Sequence, residues 1–77
     1  MKTDIMNIKK FDIVVNNKNE ILQYIGKEME YGAIVQDIHC KTQLTHINLI
    51  NRKANKDETK WFCENTENIN FVTPNVA

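Results

Sequence analysis

The stretch NNKNEILQYIGKEMEYG, residues 16–32, decides how the chain is read. Ile21, Leu22, Ile25 and Met29 recur at helical spacing and trace one apolar stripe. Asn17, with Glu20 three residues on, makes a start resembling a capping box, and Gly32 is placed to stop the helix in a left-handed cap. Gly26 inside it costs about 1 kcal/mol relative to alanine, which suits a close approach to a sheet. The stretch therefore predicts a helix, with Met29 and the tyrosines as core and boundary residues.

Working outward, Phe11, Ile13 and Val15 alternate before it and predict a strand. After it, AIVQDIHC (33–40) and LTHINLIN (44–51) alternate as two strands around a short link. RKANKDE (52–58) reads as a solvated loop, TKWFCEN (59–65) as another strand, and INFVTP (69–74) as a short last one ended by Pro74. The expected order is β-α-β-β-β, with a short fifth strand at the end. This is a two-layer α+β domain, one helix packed on one face of a mainly antiparallel sheet of four or five strands. The whole chain, 1–77, is expected to form one small domain with frayed termini at 1–7 and 74–77.

A turn at Thr42 and Gln43 would set His39 opposite His46, Asp37 opposite Asn48, and Cys40 opposite Thr45. Continuing that register pairs Leu49 with Trp61 and Ile47 with Cys63, and sets Glu64 beside His46 and Phe62 beside Asn48. One face then collects apolar groups for the helix. The other face, carrying Asp37, His39, His46, Asn48, Phe62 and Glu64, stays bare. Cross-strand Cβ atoms about 5 Å apart would let the two facing imidazoles share an ion with Glu64 or Asp37. No spacing here matches a zinc motif, so a solvated face with a hydrogen-bonded His–Glu pair is the favoured reading and no metal or other cofactor is expected. Cys40 and Cys63 would lie two strand spacings apart, roughly 10 Å, as buried unreactive thiols and not a disulfide.

The formal charge is zero, ten basic residues balancing ten acidic ones, which argues against a general nucleic-acid binder. No apolar run approaches the ~20 residues that span a membrane. The opening MKTDIMNIKK lacks the apolar core of a secretion signal, so a cytoplasmic protein is expected. Two glycines leave no phosphate loop, and no paired carboxylates converge on a pocket, so an enzyme is not expected.

The expected function is a protein-binding module, an inhibitor or adaptor. It would dock through the bare face, with Val35, Ile50 and Phe62 among polar groups, beside the basic loop residues Arg52, Lys53, Lys56 and Lys60. A homodimer through that face or a free edge strand is a further expectation. The alternative is a single-stranded nucleic-acid binder, stacking bases on Phe62, His39 and His46 with those cations on phosphates. A third reading gives the facing histidines a pH-sensing role.

Asn, Ile and Lys make up more than a third of the chain, a bias of AT-rich genomes. In size, composition and strand–helix–meander order the whole chain resembles the small anti-defence proteins of phages, including anti-CRISPR inhibitors. That resemblance implies a compact wedge that binds a nucleoprotein effector and blocks nucleic-acid loading or cleavage.

Overall fold

A computed structural model describes residues 8–74 as one helix packed against a five-stranded antiparallel sheet, the α+β class expected. The strands are β1 (Ile13–Asn16), β2 (Ile21–Glu28), β3 (Gly32–Gln36), β4 (Thr42–His46) and β5 (Ile50–Lys53). Their spatial order is β4-β3-β2-β1-β5. A 3-10 turn, Ile47–Leu49, carries the chain from β4 across to β5, and the helix α1 (Lys56–Asn65) follows. Residues 1–7 and 75–77, expected to fray, lie outside the described residues; Pro74, assigned to the same end, is buried.

The order differs from β-α-β-β-β because the helix and one strand exchange places. Residues 21–28 are β2, the central strand, and the stretch 17–20 is the turn that leads into it. An Asn–Glu bond is present, but Asn16 makes it in place of the expected Asn17, and it closes a hairpin. Asn16 Oδ1 accepts from the backbone N–H of Lys18 and of Glu20, both at 2.9 Å, and Asn16 Nδ2 donates to Glu20 Oε1 at 2.7 Å. Asn19 adopts the left-handed backbone that asparagine tolerates, with φ 61°. An asparagine that satisfies nearby N–H groups serves a turn as well as a helix start, so the signal was ambiguous. Gly26 follows a register shift in the β2–β3 ladder, and a Cβ added there would meet nothing within 4 Å. Its expected role as a close-approach glycine is therefore not borne out.

TKWFCEN, expected as a strand, belongs to α1. Asn55 Oδ1 accepts from Glu58 N at 2.8 Å, and Glu58 Oε1 accepts from Asn55 N at 2.9 Å, a complete capping box. Asp57 and Glu58 in the first turn add favourable charge at the positive end of the helix. INFVTP is not a strand either. Beyond α1 the chain runs irregularly, held by Glu67 N donating to Ile38 O at 2.7 Å and Asn68 Nδ2 donating to Gln36 Oε1 at 3.3 Å.

Both sides of the sheet are packed at its centre. On one side Val14, Leu22, Tyr24, Ala33, Val35 and Ile50 form a cluster, joined by Ile8 and Ile47. Ile13 and Val15 alternate to the other side, where buried Gln23 also lies across from Ile13. Gln23 Nε2 donates to Phe11 O at 3.0 Å and to Val72 O at 2.9 Å, which ties the C-terminal segment over this face. Phe62 of α1 is buried on the same side, its ring 6.0 Å from that of Phe71. The bare sheet face expected from the sequence does not exist, and Val35, Ile50 and Phe62, assigned to it, are core.

Candidate functional site

The histidine patch is dispersed. The β3–β4 register pairs Gln36 with Thr42, so residues 37–41 form the hairpin loop and the turn is not at Thr42–Gln43. His39 lies in that loop, while His46 ends β4 opposite Gly32. Asp37 organises the loop by accepting from the backbone N–H of His39 and of Lys41, both at 2.9 Å. The His–Glu pair exists with another partner: His39 Nδ1 meets Glu67 Oε2 at 2.7 Å and helps hold the C-terminal segment to the loop. His46 Nδ1 accepts from Asn48 N at 3.1 Å, which starts the 3-10 turn and leaves the ring proton on Nε2.

The remaining assigned residues fall elsewhere. Glu64 is exposed on α1, not beside His46, and Phe62 is too deeply buried to stack a base. Arg52 makes a two-pronged pair with Glu58, at 2.7 and 2.9 Å. Lys53 lies 3.5 Å from buried Asp12, whose carboxylate also accepts from Lys9 N at 2.8 Å. Lys56 and Lys60 are exposed on α1. Among the described residues no group of three His, Cys, Asp or Glu side chains is placed to hold a metal ion. Cys40 is exposed in the hairpin loop and Cys63 is half-buried on α1, so the two do not share a sheet face. Burial, reinforced by the Glu64 carboxylate, pushes the Cys63 thiol up.

What the fold does bring together is apolar and lies at the opposite end of the sheet from α1. Glu28 pairs with Gly32, so Met29, Glu30 and Tyr31 form a three-residue tip between β2 and β3. A Cβ on Gly32 would strike the Glu28 carbonyl, which reserves that position for glycine. Met29 has φ 59° and is 84% exposed, a bulky side chain in left-handed backbone that this residue type rarely occupies. Tyr31 stacks on His46 with ring planes 5° apart and centroids 5.7 Å apart. With Leu44, 65% exposed, these residues line an open groove of about 480 Å³ rimmed by Glu28 and Glu30.

No family model matches the chain, and no curated protein or solved structure matches it. The site therefore rests on its own geometry.

Beside the groove runs the outer edge of β4. Asp37 N donates to Lys41 O at 3.0 Å and Ile47 N donates to Tyr31 O at 2.7 Å, which brackets the β3–β4 ladder. Antiparallel bonding alternates, so Gln43 and Thr45 bond inward, while the backbone N–H and C=O groups of Thr42 and Leu44 and the N–H of His46 point outward; the His46 carbonyl caps the 3-10 turn. Thr42–His46 contains no Lys, Arg, Asp, Glu or Pro, the residues that ordinarily guard an edge. The opposite edge, β5, carries Arg52 and Lys53. Sequence reasoning missed Met29, Tyr31 and Leu44. Reading 21–28 as a strand buried on both faces rather than as a helix would have placed Met29 at a hairpin tip.

Proposed function

We propose that the chain is a non-catalytic protein-binding module of the inhibitor type, and that it docks through the β2–β3 tip and the groove of Met29, Tyr31, Leu44 and His46. The observation that supports this most is Met29. Holding an apolar side chain in water, on backbone that costs about 1–2 kcal/mol, does nothing for folding and suits an anchor that fills a partner's pocket. Glu28 and Glu30 beside an apolar groove complement a basic rim of the kind that handles nucleic acid. That agrees with the resemblance to phage anti-defence proteins in size and composition, though not in element order, since the helix comes last; in that class the target is a nucleoprotein effector in the host cytoplasm. Among the described residues no helix is long and apolar enough to cross a membrane.

The test places a photo-crosslinking amino acid at position 29 and, as a control, at Lys60 on the helix. In cells of the natural host, position 29 should give a discrete crosslinked protein that Lys60 does not. Identical or absent adducts at the two positions would remove the docking assignment. Inhibition is tested apart: the pure chain is added to purified CRISPR effectors before and after nucleic-acid loading. Unchanged loading and cleavage throughout would dismiss that target class while leaving the binding role standing.

A further inference from the structure

The outer edge of β4 is self-complementary, and we infer that its partner is a second copy of this chain, joined β4 to β4 in antiparallel fashion about a two-fold axis at Leu44. The inference rests on the protein-binding reading above, since it assigns an occupant to the edge of the same site.

Three observations carry it. First, the bonding phase is symmetric. Thr42 and Leu44 present both N–H and C=O outward and His46 presents its N–H, so an axis at Leu44 sets Leu44 against the second copy's Leu44 and the Thr42 carbonyl against the second copy's His46 N–H. Every outward-pointing position of the strand meets another outward-pointing position. An axis moved to either neighbouring residue leaves one of the three without a mate. Second, the side chains match themselves. The two Leu44 side chains meet on one face beside Thr–His pairs, and Gln43 meets Thr45 on the other face, with no like charges opposed. The opposite edge, β5, carries Arg52 and Lys53 and has no such uncharged self-match about its centre. Third, the charges flanking the strand are complementary. Antiparallel joining brings the Lys41 end of one copy alongside the tip of the other, where Glu28 and Glu30 rim the groove.

A two-fold axis through such a strand pair is perpendicular to the sheet, so the grooves of both copies open on one side. Joined at the two Leu44 side chains, they become one continuous apolar trough with Met29 and Tyr31 at each end. The five-stranded sheet is doubled, and its unguarded edge is gone.

The experiment is sedimentation velocity on the full chain from micromolar to millimolar concentration. The wild type should reach twice 9.0 kDa. Leu44→Lys and Leu44→Glu each set like charges face to face on the axis and remove two leucine burials. Each should weaken the dimer by roughly a hundredfold or more. An equimolar mixture of the two variants should restore the dimer mass, because opposite charges then meet. That restoration excludes simple unfolding as the cause. A wild type that stays at 9.0 kDa throughout would overturn the inference, as would a dimer that ignores both substitutions. Neither result touches the crosslink at position 29, so the dimer and the docking role fail separately.

Discussion

At the scale of single residues, the structure separates side chains that hold the fold from those that serve its surface. Arg52 and the Asn55 N–H both bind the Glu58 carboxylate, and they hold its pKa at about 2 against an ordinary 4.5. Because the folded value is depressed, the stabilisation is fully present above pH 4.5 and is lost as the pH falls towards 2. Glu58→Gln keeps a capping-box side chain but removes the charge. Its stability should therefore fall less than the wild type's over that acid window, as followed by urea unfolding at stepped pH. Met29 sits on the other side of the division. Met29→Gly relieves the left-handed strain at the tip, and a gain of up to about 1 kcal/mol should raise the melting temperature by several degrees. Calorimetry that shows clear destabilisation would mean the Met29 side chain packs in solution.

At the scale of elements, α1 is anchored by one side chain. Phe62 is 1% exposed while its neighbour Trp61 is 43% exposed, so their truncations should differ widely. Phe62→Ala should cost about 3–5 kcal/mol, a large share of the roughly 4–11 kcal/mol expected for a domain of this size. Trp61→Ala should cost well under half as much, and denaturant midpoints for the two variants decide the point. The same scale shows what could be read in the sequence. The strands around residues 13–15, 33–36 and 44–46 were legible, because alternation on a buried sheet needs no context, whereas Phe11, expected to open the first strand, sits in a turn with φ 78°. Residues 21–29 were not. Ile21, Leu22, Ile25 and Met29 fit a helical stripe, but β2 is central and buried on both faces, so its apolar residues need not alternate. The helix at 56–65 was missed although Asn55 and Glu58 repeat the pattern seen at Asn17 and Glu20. Trp61 and Phe62, side by side, look like a strand until the cap is given weight.

At the scale of the whole molecule, one buried amide ties both ends of the described chain to the sheet. Gln23, 1% exposed at the middle of the sheet, joins the backbone before β1 to the segment after α1. Gln23→Ala would strand two carbonyls and should cost about 1–3 kcal/mol, with faster amide exchange concentrated in residues 66–74. Uniform exchange across the chain would instead mean that this segment unfolds only with the sheet. The candidate site was illegible for a related reason. Its residues come from a tip and an edge that exist only once β2 is a strand, so misreading one element moved every proposed contact to another surface. Gly32 adds a consequence of its own. The tip closes on one achiral residue, whereas the side chains at 29–31 are exposed and answer to no neighbour in the core. Such a hairpin can be respelled without being rebuilt. Substitutions there can change what the tip presents to a neighbour while the scaffold stays put.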